Sequence, residues 1–199
     1  DYQALADCDL IIEAVFEDPS VKAEVTRNVE AVIREDCIFA TNTSTLPISA
    51  LAEASSRPEQ FIGIHFFSPV EKMLLVEIIK GKDTGDRAVA KALDYVRQIR
   101  KTPIVVNDAR GFYTSRTFGT FVMEGAAMVG EGIPAAVIEN AAMQCGMPVG
   151  PLAVLDETAL SLSVQVLDQT RKDLAERGEV YQPSAGERLV ERMVKKLDR

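Results

Sequence analysis

Paired cysteines, basic tracts and long apolar runs are all missing from this sequence, and each absence removes a class of protein. Three cysteines stand at positions 8, 37 and 145, an odd number without the short spacing of a disulfide framework or a metal site. Buried free thiols are expected, and no bound metal. Basic residues number 22 against 30 acidic ones, a formal net charge of -8, which argues against a phosphate-tracking nucleic-acid surface or an anionic membrane as main partner. Apolar runs are short and interrupted, and residues 1–15 lack the basic start, apolar middle and cleavage site of a leader. A cytoplasmic protein with no membrane span is the expectation. There is no low-complexity tract, and 199 residues with 47% hydrophobic and 26% charged side chains suffice for two unequal folded units.

The apolar run 9–15 reads as a buried strand. Val21, Val25, Val29, Val32 and Ile33 follow at helical spacing behind Pro19, which suits a first turn. Residues 37–41, 61–67, 74–79 and 102–106 read as further strands, with helices over 47–54 and 87–100 between them. Strands alternating with helices point to an α/β class with a mainly parallel sheet. After residue 107 no strand is evident. Residues 112–129 and 134–145 read as helices, the second stopped by Gly146. Both are dense in small residues, among them Gly119, Gly125, Ala126, Ala135, Ala136 and Ala141, which suit close helix packing within the chain or across a dimer. The expected domains are 1–106 and 107–199. No Gly-x-Gly-x-x-Gly occurs, so either the sheet is not nucleotide-binding or the chain is a piece of one that is.

The single histidine, His65, ends an apolar strand, where ligands bind in open parallel sheets. Imidazole accepts and returns a proton near neutrality, which makes His65 a candidate base; a hydrogen-bonded structural histidine is the alternative. Glu77 interrupts the run Leu74–Ile79, where burial demands a partner. If its strand pairs with that of His65, the carboxylate can fix the imidazole tautomer; otherwise it faces solvent from an edge. Ser44, after another strand end, offers a hydroxyl to the same crevice or serves as ordinary turn chemistry. Asn42 beside it is a weaker candidate. Glu17 and Lys22 flank Pro19 and read as cofactor contacts or as solvated charges at a helix start.

Taken together, Ile11-Ile12-Glu13-Ala14-Val15-Phe16-Glu17, Ala40-Thr41-Asn42-Thr43-Ser44-Thr45, Gly63-Ile64-His65-Phe66-Phe67-Ser68-Pro69 and Leu75-Val76-Glu77-Ile78-Ile79 resemble the 3-hydroxyacyl-CoA dehydrogenase family, in the same order. So do Arg110-Gly111-Phe112-Tyr113-Thr114-Ser115-Arg116 and Gly146-Met147-Pro148-Val149-Gly150-Pro151-Leu152. The resemblance covers nearly the whole chain. It implies the C-terminal part of a Rossmann-like NAD-binding sheet followed by an all-α, dimerisation-type domain. It also implies oxidation of (3S)-hydroxyacyl-CoA to 3-ketoacyl-CoA with NAD, as a homodimer or a subunit of a fatty-acid oxidation complex.

By the same matching His65 is the base, Glu77 its orienting carboxylate and Ser44 the substrate-contacting hydroxyl, with Ser115 a further catalytic helper. Glu17, Lys22, Ala14, Asn42 and Ser68 fall at cofactor-binding positions. Ser68 and Ser115 stand where the family often has asparagine, so those contacts are lost, bridged by water or made by a hydroxyl. The resemblance further implies that both ends are cut, that a glycine-rich unit is missing before residue 1, and that the chain alone binds NAD poorly. Residues 110–116 look most like the alpha subunits of multifunctional complexes, whose hydratase region lies upstream. Two rival expectations are a non-catalytic docking module of the same family and a related dehydrogenase for another hydroxy acid.

Overall fold

The computed structural model describes residues 1–158, 160–176 and 178–197 and, within them, all side chains but those of residues 162, 173, 176 and 197. The chain divides into two compact units, Asp1–Arg116 and Thr117–Arg199.

In the first unit five strands, β1 (Leu10–Glu13), β2 (Ile38–Thr41), β3 (Phe61–Phe66), β4 (Leu75–Lys80) and β5 (Thr102–Asn107), lie side by side in sequence order. Helix α1 (Pro19–Glu30) links β1 to β2, starting where the Asp18 carboxylate accepts the amides of Ser20 (2.8 Å) and Val21 (3.1 Å). Helix α2 (Ile48–Ala52) lies between β2 and β3, and α3 (Asp86–Gln98) between β4 and β5. Every pairing is parallel except β3 with β4. The expected parallel character therefore has one exception, and its cause is length. The connection 67–74 holds no helix, whereas a parallel crossover takes about a dozen residues or more.

Alternation along the strands sorts side chains onto two faces. Ile38, Ala40, Ile62, Ile64, Val76 and Ile78 pack with Ala88, Ala92 and Val96 of α3. Phe39, Phe61 and Ile79 point the other way, toward Val29 of α1, Ile48 and Leu51 of α2, and Phe112. His65 and Glu77 fall on this second face by the period of two. Gly63, between Phe61 and His65, has no room for a side chain: an added Cβ would lie 2.7 Å from Ile48 Cδ1 and 2.9 Å from Ile79 Cβ. Its lack of a side chain lets α2 close onto the sheet next to the histidine.

Helix α4 (Thr114–Gly130) is followed by α5 (Ala135–Gln144), α6 (Pro151–Glu157), α7 (Leu160–Glu176) and α8 (Ala185–Leu197). Val122, Ala126, Leu155, Val164 and Val190 make the core of the second unit. Gly125 lets Pro151 approach α4, since a Cβ there would meet the proline ring at 2.6 Å. The small residues Ala135, Ala136 and Ala141 of α5 are exposed. Two expectations need correcting. Cys37 is buried, but Cys8 is half-buried and Cys145 exposed, because α5 presents its C-terminal end to solvent. The helix expected from residue 112 begins at Thr114 instead, because Gly111 and Phe112 both adopt left-handed backbone, with φ of 72° and 48°.

Candidate active site

The antiparallel register sets His65 directly opposite Glu77. Side chains of such a pair share a face, and the imidazole Nδ1 lies 2.8 Å from Glu77 Oε2, with both residues buried. The same Oε2 accepts the Thr114 hydroxyl at 2.6 Å, while Oε1 accepts the amides of Tyr113 (3.1 Å) and Thr114 (2.9 Å). Left-handed backbone at residues 111 and 112 turns the opening of α4 onto the carboxylate, where the N-terminal amides of a helix favour negative charge. Phe112 is buried by that turn and lies 6.1 Å from the His65 ring, centroid to centroid; Phe67 lies 4.4 Å away.

Burial pushes the Glu77 carboxyl up, but the hydrogen bonds from His65 and Thr114 outweigh it and hold the group below the ordinary carboxylate value. Glu77 is therefore ionised near neutrality. An ionised carboxylate only accepts, so the imidazole proton sits on Nδ1 and the basic lone pair on Nε2. A buried, oriented imidazole with an anion behind it can take a proton and hold the resulting charge.

The other sequence candidates gather along the ends of β1, β2 and β3. Asn42 donates its amide to the Glu13 carbonyl (2.8 Å) and accepts the Phe66 amide on Oδ1 (2.9 Å), tying the end of β2 to the residue after the histidine. Ser44 is exposed; its amide (3.0 Å) and hydroxyl (3.4 Å) both donate to Glu17 Oε1. The Glu17 side chain is 36% exposed, whereas Lys22 is a buried cation paired with Glu13 at 3.0 Å, not a solvated charge. Ala14 and Ser68 are exposed at the ends of β1 and just beyond β3. Ser115 stands half-buried in the first turn of α4, next to the threonine that bonds Glu77.

Sequence reasoning missed Thr114 and the Tyr113 amide. Their one visible signal is a glycine followed within three residues by a hydroxyl at a helix start. It also missed Glu13, which reads as the polar end of an apolar strand. Among the described residues no group of three His, Cys, Asp or Glu side chains could hold a metal ion, and no helix is long and apolar enough to cross a membrane.

Comparison with known proteins gives a consistent result. Residues 1–109 match the model of the 3-hydroxyacyl-CoA dehydrogenase NAD binding domain, and residues 111–198 that of the C-terminal domain of the same enzymes. The fatty acid oxidation complex subunit alpha of Shewanella sp. (strain W3-18-1) is 40% identical over 190 residues, 96% of this chain. The chain spans 27% of that relative's length. The crystal structure of (S)-3-hydroxybutyryl-CoA dehydrogenase from Ralstonia eutropha superposes with a TM-score of 0.86 at 32% identity, over 98% of this chain and 68% of that one. The 3-hydroxybutyryl-CoA dehydrogenase of Escherichia coli gives 0.78 at 29% identity, over 84% of this chain and 37% of that one.

Proposed function

The chain belongs to the 3-hydroxyacyl-CoA dehydrogenase family, and from that premise we propose that it is the catalytic part of an NAD-dependent enzyme oxidising (3S)-hydroxyacyl-CoA to 3-ketoacyl-CoA in fatty-acid oxidation. The observation that carries this reading is the buried 2.8 Å hydrogen bond between His65 and Glu77. His65 is the general base: Nε2 takes the proton of the 3-hydroxyl, and Nδ1–H keeps its bond to Glu77, which stabilises the imidazolium. In the reverse direction the same nitrogen protonates the alkoxide. The Ser44 hydroxyl orients the substrate oxygen, with Ser115 as a second hydroxyl at the opening of α4.

When bound, NAD supplies the acceptor for the hydride that leaves C3. Glu17, backed by Lys22, and Ala14, Asn42 and Ser68 form its site along the strand ends. They fit the amide-and-ribose end of the cofactor: Ser68 offers a hydroxyl, Ala14 leaves backbone accessible, and Glu17, its oxygens held by Lys22 and by residues 43–45, shapes the wall between them. The pyrophosphate calls for a glycine-rich turn, and Gly-x-Gly-x-x-Gly is not in this sequence. A homodimer or a place in a fatty-acid oxidation complex, in the cytoplasm, goes with this reading; the Shewanella relative is a subunit of such a complex.

The test is His65→Gln in the full-length polypeptide. Turnover falls by at least about 10², while NAD affinity by titration calorimetry stays within about twofold of wild type. Equal turnover in the two proteins ends the assignment of the base.

A further inference from the structure

A second set of charges lies beside the crevice, and the mechanism above gives one member of it, Glu13, no task. The Lys22 ammonium stands 3.0 and 3.1 Å from the two carboxylate oxygens of Glu13, 3.4 Å from Glu17 Oε2 and 3.4 Å from the Val15 carbonyl. Lys22 is 2% exposed and Glu13 6%. Glu13 also accepts the Thr41 hydroxyl and, at 3.0 Å, the Val15 amide. Burying two such charges is unfavourable unless they are paired and hydrogen-bonded, and here both conditions are met.

The second carboxylate, Glu17, faces two ways. Oε2 meets the ammonium, while Oε1 accepts the Thr43 hydroxyl (2.5 Å), the Ser44 amide (3.0 Å), the Ser44 hydroxyl (3.4 Å) and the Thr45 amide (3.4 Å). A continuous line of contacts thus runs from Glu13 through Lys22 and Glu17 to Ser44. An ammonium has three hydrogens, and oxygens of Glu13, Glu17 and Val15 already surround this one.

We infer that Glu13 is a positioning residue: it holds Lys22 between two carboxylates, and so leaves Glu17 free to fix the Ser44 loop. The inference rests on the proposed role of Ser44. With the Glu13 charge removed, the ammonium keeps one carboxylate neighbour, and Glu17 turns fully toward it. The loop then loses the acceptor that gathers the Thr43 hydroxyl and the Ser44 and Thr45 amides, and the Ser44 side chain shifts from its place beside the substrate oxygen. A purely structural role for Glu13 lowers stability without this dependence on Ser44.

The experiment is a double-mutant cycle on the full-length polypeptide with Glu13→Gln and Ser44→Ala, reading kcat and KM for acetoacetyl-CoA reduction by NADH. Glu13→Gln lowers kcat about tenfold with KM little changed in the wild-type background, and by less than about twofold once Ser44 is alanine, the non-additivity expected of coupled groups. An equal loss in both backgrounds overturns the positioning role while leaving the dehydrogenase reading intact. Wild-type turnover in Ser44→Ala alone overturns the role of Ser44, and this inference with it. If Glu13→Gln does not fold, Glu13→Asp replaces it, keeping the charge but withdrawing it by one methylene. A smaller coupling of the same sign then supports the inference, and additivity overturns it.

Discussion

Replacing Glu77 by glutamine separates what the carboxylate does for the imidazole from what it does for the fold. Its Oε1 holds the amides of Tyr113 and Thr114 at 3.1 and 2.9 Å, and a glutamine oxygen in the same place keeps both. The other end becomes an NH2 facing His65 Nδ1 and the Thr114 hydroxyl, now 2.8 and 2.6 Å from Oε2. The hydroxyl rotates and accepts. The ring can accept only on a bare nitrogen, so its proton moves to Nε2, and the atom that should receive the substrate proton becomes a donor. Since every buried group retains a partner, stability changes by no more than about 1–2 kcal/mol. The base is lost, and that contribution is about 10² to 10⁴ in rate, or about 3 to 5.5 kcal/mol of barrier. Glu77→Ala differs in kind: two amides, a hydroxyl and a ring are left unpaired in a buried site, at a cost of about 3–5 kcal/mol of stability. The assay is acetoacetyl-CoA reduction by NADH on the full-length polypeptide, with thermal melting of the same samples. A glutamine variant with an unchanged melt and kcat within about threefold of wild type refutes the idea that Glu77 sets the tautomer.

Thr114→Val removes one of the hydrogen bonds that, against the upward push of burial, hold the Glu77 carboxyl below its ordinary value. A depressed carboxylate loses its charge as pH falls through the folded value, so raising that value moves the loss to higher pH. The Glu77 carboxyl, followed by its infrared carboxylate band against pH, protonates at higher pH than in wild type, and turnover falls about tenfold; an unshifted titration counts against the account. Gly63→Ala forces a methyl against Ile48 and Ile79, and because the Ile79 Cβ cannot swing away, stability drops by about 1–3 kcal/mol in a denaturant titration. A variant as stable as wild type contradicts the close approach. In the helical unit, Arg171 and Lys195 hold Glu191 down to about 2 from an ordinary 4.5. The stabilisation is present above 4.5 and is lost as pH falls toward about 2, so hydrogen exchange in α7 and α8 speeds up over that window. Arg171→Leu weakens the acid dependence, leaving the part that Lys195 supplies, and an unaltered exchange profile speaks against the pair.

Much of this architecture is legible because the strands are mostly apolar runs and the helices carry apolar residues at helical spacing. Residues 38–41 and 61–66 could hardly be anything but buried strands. The meeting of His65 and Glu77 is less accessible: spacing along the chain does not fix register, and the antiparallel turn over 67–74 had to be short enough to exclude a crossover. Thr114 was invisible because its bond depends on left-handed backbone at Phe112, which no side-chain propensity favours. Lys22 misled in another way. A lysine behind a proline at a helix start reads as solvated, and only its proximity to Glu13, fixed by the packing of α1 on the end of β1, turns it inward.

The Tyr113 contribution to Glu77 is a peptide N–H, and that has a genetic consequence. Every amino acid except proline carries the same group, so no other exchange at position 113 can delete this donor directly. Two of the partners that hold the carboxylate in place are thus main-chain groups, sheltered from point mutation. The vulnerable positions are the ones that bend the main chain into place, foremost Gly111, where a larger residue must tolerate a φ of 72°.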